Sequence, residues 1–156
     1  MNRVRIGALG ILVALLAQPA LAHDWNDGAV AWKGYEDGLA LAKREHKSIC
    51  LVVYTEWCPH CANYSKVFHD PKVVEASKQF VMIHLDQDKD KDLVGKYAPD
   101  GGYIPRTLFL ASDGTLLADV HAPRDQYKFF YDEKDPASVL GVMSAAAAAA
   151  KPAPKP

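Results

Sequence analysis

Cys58 and Cys61, inside Trp57-Cys58-Pro59-His60-Cys61, are the residues best placed to do chemistry in this chain. Two cysteines separated by two residues form a small, strained disulfide or stand open as a dithiol. If Cys58 begins a helix, the pair sits at i and i+3 on one face. The unpaired N–H groups and dipole of a helix start then favour a thiolate. The thiolate is the reactive species in thiol–disulfide exchange. An apolar run, Ile49-Cys50-Leu51-Val52-Val53-Tyr54, precedes the motif and reads as the strand that delivers it.

Other candidate residues compete with plainer roles. Cys58 and Cys61 alone would make half a zinc site, and no second C-x-x-C or H-x-x-x-H supplies the rest. His60 is either a solvent-facing residue of the helix start or a group tuning the Cys58 thiolate, and its place between the cysteines favours tuning. Cys50 reads as a small core residue rather than a third reactive thiol. Asp86, Asp88, Asp90 and Asp92 alternate with Gln and Lys, but a calcium loop would want Gly and Glu where Lys91 and Tyr97 stand. A solvated loop is the better reading, and no metal site is expected. His23 offers an amine and imidazole for copper only as a mature N-terminus, and a frayed end is the plainer expectation. Tyr127-Lys128-Phe129-Phe130-Tyr131 supplies both core packing and a binding surface. Glu56 is either a proton shuttle near Cys61 or an exposed loop carboxylate.

The N-terminal 22 residues read as a targeting segment. Arg3 and Arg5 precede the apolar run Ile6–Ala17, which is short for a bilayer span, and Ala20-Leu21-Ala22 is a small-x-small cleavage site. Cleavage after Ala22 would leave 134 of the 156 residues, enough for one domain with its own core. No stable membrane insertion is expected after cleavage. Arg3, Arg5, Lys151 and Lys155 lie outside 23–146, leaving 14 Lys and Arg against 19 Asp and Glu, a net of about −5. That balance argues against nucleic acid.

The remaining chain divides by periodicity and turn signals. Asp27–His46 has near-helical apolar spacing at Trp32, Tyr35, Leu39 and Ala42. Ser48–Tyr54 lacks alternation and reads as a buried central strand. Cys58–His69 is a helix, Asp70-Pro71 restarts one, and Phe80–Leu85 is a strand. Asp90–Tyr97 is a short helix ended by Pro99-Asp100-Gly101-Gly102. Thr107–Leu110 and Leu116–Val120 are strands around the hairpin signal Asp113-Gly114. Pro136 to about Ala148 is the last helix, and 149–156 is a disordered Pro/Lys tail. This order predicts an α/β domain over 23–148: a central mixed sheet with helices on both faces and its chemistry at the end of the first core strand.

The strand followed by Trp57-Cys58-Pro59-His60-Cys61, with Ile104-Pro105 forty-four residues after Cys61, resembles the thioredoxin fold. The resemblance implies a cis-proline at 105 facing the dithiol. Pro99–Leu110 and the run Tyr127–Tyr131 look like the small thioredoxin-domain and anterior-gradient proteins of the secretory pathway. Phe68-His69-Asp70-Pro71-Lys72-Val73-Val74 is similar to the C-terminal thioredoxin-like domain of the bacterial transmembrane disulfide reductase. One departure is Val52, which stands where thioredoxin carries a buried acid six residues before its first cysteine. Pro59-His60 matches the disulfide-donating periplasmic oxidases, and a His beside the thiolate should make the pair more oxidising than thioredoxin's.

These readings together predict a periplasmic thiol–disulfide oxidoreductase. Cys58 is expected as the exposed nucleophile and Cys61 as the buried resolving thiol. His60 is expected to tune Cys58, and Pro105 to shape the substrate groove. Trp57, Pro59, Tyr103 and Ile104 are expected to contact substrate. No cofactor is expected beyond the Cys58–Cys61 pair itself. Cysteine-containing exported proteins are the expected clients, with a membrane redox partner. The alternatives are a client-binding module without turnover, or a copper-handling protein that uses the dithiol as a soft ligand.

Overall fold

A computed structural model describes residues 23–149. Residues 1–22 and 150–156, with the leader and most of the tail expected there, lie outside the described residues. The elements are β1 (Trp32–Lys33), α1 (Tyr35–Glu45), β2 (Ile49–Tyr54), α2 (Pro59–Ser65), α3 (Pro71–Ser77), β3 (Val81–Asp86), α4 (Lys91–Lys96), β4 (Arg106–Leu110) and α5 (Pro136–Ala149). A 3-10 turn, Lys66–His69, joins α2 to α3. The sheet order is β1-β3-β2-β4. β3 runs parallel to both β1 and β2, and β4 pairs antiparallel with β2. This is the expected α/β fold, with a mixed sheet between two helical layers.

β2 explains its own lack of alternation. Cys50, Val52 and Tyr54 enter a cluster with Tyr64 of α2, Val73 of α3 and Val139 of α5. Ile49, Leu51 and Val53 enter the opposite cluster, with Ala42 of α1 and Val94 of α4. A strand covered on both faces has no polar side to show. α1 comes close enough to the sheet that a Cβ on Gly38 would lie 2.5 Å from Ile83.

Four boundaries differ from those read in the sequence. The Asp27–His46 helix begins only at Tyr35, because Trp32 is drawn into a short edge strand. Its ring stacks on His84 at 3.6 Å, and its Nε1 donates to the Trp25 carbonyl at 2.8 Å. Cys58–His69 is α2 followed by the 3-10 turn rather than one helix. Leu116–Val120 forms no strand, only an isolated bridge between Leu110 and Leu116. Leu117 and Val120 belong to one apolar cluster, and a turn places them there, with the Val120 N–H on the Leu117 carbonyl at 3.0 Å. A strand would have put residues three apart on opposite faces. The chain then runs irregularly through 116–134 toward the dithiol. Finally, α5 continues to Ala149, one residue into the expected tail.

Candidate active site at the dithiol

β2 ends at Tyr54, and the loop Thr55-Glu56-Trp57 turns the chain into α2. Cys58 is the N-cap residue, in an extended conformation, and Pro59 occupies the first helical position, where its missing N–H costs nothing. The Cys58 sulfur accepts the Cys61 N–H at 3.2 Å. Cys58 is only 3% exposed and Cys61 is 0% exposed. The expected exposed nucleophile is therefore nearly covered. Its sulfur folds back over the first turn to cap the helix instead of projecting into solvent. Burial pushes the Cys61 thiol far above its usual range, and the hydrogen bond to Cys58 adds to the rise. Cys50 is likewise pushed up by burial alone, as suits a core residue.

The second half of the site precedes β4. The pairing of Val53 with Arg106 places Pro105 beyond the end of the β2–β4 ladder, beside the strand end that leads to Cys58. The Ile104–Pro105 peptide is cis. Arg106 is fully buried and braces this loop from below. Its Nε donates to the Tyr97 carbonyl at 3.1 Å, and its Nη1 donates to Gln87 Oε1 and to the Tyr103 carbonyl. Its Nη2 is buried without a partner among the described residues. Burial works against the guanidinium's charge.

His60 pairs with Glu133. Its Nδ1 lies 2.7 Å from Glu133 Oε2, and Asn63 Nδ2 donates to the other carboxylate oxygen at 3.1 Å. A carboxylate only accepts, so the proton of that contact sits on Nδ1, which orients the ring. Phe130 meets the ring edge-on at 6.2 Å. Trp57 is 68% exposed, and its Nε1 donates to Asp88 at 2.7 Å. The Asp-rich loop thus clamps Trp57. Tyr103 and Ile104 line a groove of about 340 Å³ with Arg124, Tyr127 and Phe130, and Trp57 takes no part in its lining.

Around the dithiol, the predicted residues fall into two groups. Trp57, Cys58, Pro59, His60 and Cys61 gather at the start of α2, and Tyr103, Ile104 and Pro105 gather before β4. Glu133, Asn63, Arg106 and Arg124 were not read from the sequence. Glu133 lies 73 positions from His60. The aromatic run just before it was the one signal that this stretch returns to the site. His23 is docked instead of frayed, with Nε2 2.9 Å from the Thr55 carbonyl and its N–H on Glu56 at 3.4 Å. Glu56 also accepts the Tyr54 hydroxyl at 3.1 Å, so both of its oxygens are engaged.

Residues 31–112 match the family model described as thioredoxin-like. The chain belongs to the thioredoxin-like family. Anterior gradient protein 3 of Xenopus tropicalis is 30% identical over 132 residues, covering 82% of this chain and 77% of that protein. The human anterior gradient protein 2 homologue is 30% identical over 128 residues, covering 81% and 71%. A thioredoxin from Thermus thermophilus superposes with a TM-score of 0.58 at 20% identity, covering 75% of this chain and 86% of its own. The thioredoxin-like matched region contains β1 to β4 and the whole dithiol, whereas Glu133, Arg124 and Tyr127 lie beyond it.

Proposed function

We propose that this chain is an exported thiol–disulfide oxidoreductase, released by cleavage after Ala22 and working in the periplasm on cysteine-containing exported proteins. The observation that carries the reading is the capped dithiol: a Cys58 sulfur on the Cys61 N–H at a helix start, with the resolving thiol sealed beneath it. In the reducing direction, the Cys58 thiolate attacks one sulfur of a client disulfide. A mixed disulfide forms and one client thiolate leaves. The Cys61 sulfur then attacks Cys58, and the second client thiolate leaves. The Cys61 proton ends on a departing client thiolate, and two electrons pass to the client. Donation of the disulfide is the same sequence reversed.

Val52 offers no carboxylate to take the Cys61 proton, so the client sulfur is the receiver. This makes the second step slow for clients whose thiolates leave poorly. A membrane protein that reduces or reoxidises the pair completes the cycle.

Cys61→Ser should accumulate mixed disulfides with exported proteins, visible as thiol-sensitive adducts after acid trapping and alkylation. Cys58→Ser/Cys61→Ser should accumulate none. Absence of adducts together with no exchange activity overturns the reading, and stoichiometric Cu(I) on the reduced protein would replace it with copper handling. In wild-type cells, a mostly oxidised pair identifies a donor, and a mostly reduced pair a reductase or isomerase.

A further inference from the structure

The groove beside the cis-prolyl loop has four apolar or aromatic walls, Tyr103, Ile104, Tyr127 and Phe130, and one charged wall, Arg124. We infer that this groove selects client segments in which an apolar and an acidic residue lie within two positions of the reacting cysteine. The inference rests on the oxidoreductase reading and names its substrate class.

Continuity with the dithiol argues for a client in the groove. Ile104 is both a wall of the groove and the residue preceding Pro105. An extended chain whose cysteine reaches Cys58 therefore lays its neighbouring side chains along this wall.

The groove is also held in shape. The Tyr103 hydroxyl donates to Asp100 at 2.7 Å and accepts the Phe129 N–H at 3.0 Å. The other Asp100 oxygen accepts the Lys128 N–H at 2.7 Å. Just before these anchors Tyr127 adopts a left-handed backbone, φ 52°, and is 57% exposed. That conformation is disfavoured for any residue with a Cβ. It brings the Tyr127 ring edge-on to Tyr103 at 5.0 Å while leaving most of the side chain uncovered. Strained backbone that holds an aromatic ring in water at a groove points to a ligand contact.

Charge sets the rest of the preference. The Arg124 guanidinium lies 5.9 Å from the Phe130 ring centroid and takes part in no ion pair among the described residues. A client carboxylate pairs with it, and a client lysine is repelled. The acidic balance of residues 23–146 opposes an acidic client at long range, so the discrimination is local to Arg124.

The test uses symmetric disulfides of end-blocked peptides, reduced by the full mature chain at low salt. The cores are Glu-Leu-Cys-Leu-Glu, Lys-Leu-Cys-Leu-Lys and Glu-Gly-Cys-Gly-Glu, and hydroxyethyl disulfide is a small neutral control. The expected wild-type preference is about fivefold for Glu over Lys flanks, the scale of one exposed pair. It is about tenfold for Leu over Gly. Arg124→Glu should invert the first ratio, and Tyr127→Ala should bring the second close to one. Each ratio is read within one variant, and hydroxyethyl disulfide measures that variant's intrinsic exchange rate. Wild-type ratios near one, or ratios unmoved by the variants, overturn the inference while leaving the oxidoreductase reading intact. Failure to exchange in both directions, of the reduced protein with hydroxyethyl disulfide and of the oxidised protein with 2-mercaptoethanol, instead overturns that reading. The groove is then decided by calorimetric titration with the same peptides carrying Ser for Cys, where equal binding of all three counts against it.

Discussion

Two regions meet at the dithiol: one is tied by a strand ladder, the other is not. The β1–β4 frame is fixed by a continuous ladder and by side chains buried on both faces of the sheet. The 116–134 segment has no ladder of its own. Single buried side chains, Val120, Ala122, Phe129 and Tyr131, anchor it in the core, and a few polar contacts position it: Lys128 on Asp100, Phe129 on Tyr103, Thr107 on Phe129, and Glu133 on His60 and Asn63. The frame sets the sulfurs and their spacing. The segment brings the charges and rings around them. Such a division lets the surroundings of a dithiol change without disturbing the sheet that carries it.

The sharpest way to separate the regions is to weaken each alone. Phe109 is fully buried in the frame and packs on Phe80 at 5.4 Å. Phe109→Ala should cost about 3–5 kcal/mol in urea unfolding. Asp100→Ala should cost only about 1–2 kcal/mol. It should speed amide exchange at Lys128 and Phe129 while β2 and β3 stay protected. Equal losses in the two variants, or exchange spreading into β2, would erase the distinction.

A second prediction concerns pH and belongs to the frame. Burial pushes His84 down to about 3, with its ring stacked on Trp32 and its Nε2 unpartnered among the described residues. The unfolded chain binds this proton below about pH 6.5 and the folded chain does not. Stability is therefore full above that pH and falls as pH drops toward the folded value. Between pH 7 and 5 the loss is about 2 kcal/mol. His84→Phe should keep the stack on Trp32 and flatten the pH slope by that amount. A slope unchanged from wild type would sink the assignment.

The smallest expected effect tests the segment. Glu133 accepts the His60 Nδ1–H and so engages a donor that would otherwise be free to stabilise a Cys58 thiolate. Releasing that donor favours the reduced pair. Glu133→Gln should raise the reduction potential by about 10–20 mV, equivalent to about 0.5–1 kcal/mol. Glutathione equilibration measures it. His60→Ala should abolish most of the Glu133 effect, and an undiminished shift in that background would place its action elsewhere.

The frame was more legible in the sequence than the segment. Ile49–Tyr54 announced a doubly covered strand through its unbroken apolar run, and Asp70-Pro71 announced a helix start, which the Asp70 side chain caps at Lys72 and Val73. Those signals are local. The burial of Cys58 was not legible, because the rotamer that caps Cys61 is chosen by the folded turn. Nor was the His60–Glu133 contact, since nothing near either residue marks its partner. The Leu116–Val120 reading failed because Asp113-Gly114 does make a turn, with Gly114 at φ 88° and its N–H on Ala111, but a turn fixes only the first bridge after it. The path of the chain past that bridge depends on where Leu117 and Val120 find apolar neighbours.

The same irregular segment also has a consequence for how this protein behaves in a crowd. β4 lies at the edge of the sheet, and an edge strand is a template for any extended chain that meets it. Here the Thr107 N–H is spent on the Phe129 carbonyl at 2.8 Å and the Phe109 carbonyl on the Leu117 N–H at 2.9 Å. A second copy cannot extend the sheet along these positions without first stripping the segment away. The loop at Ile104–Pro105 lies beyond this covering. In the proposed role on cysteine-bearing chains, most of this edge is closed to aggregation and pairing is confined to the one stretch beside Pro105.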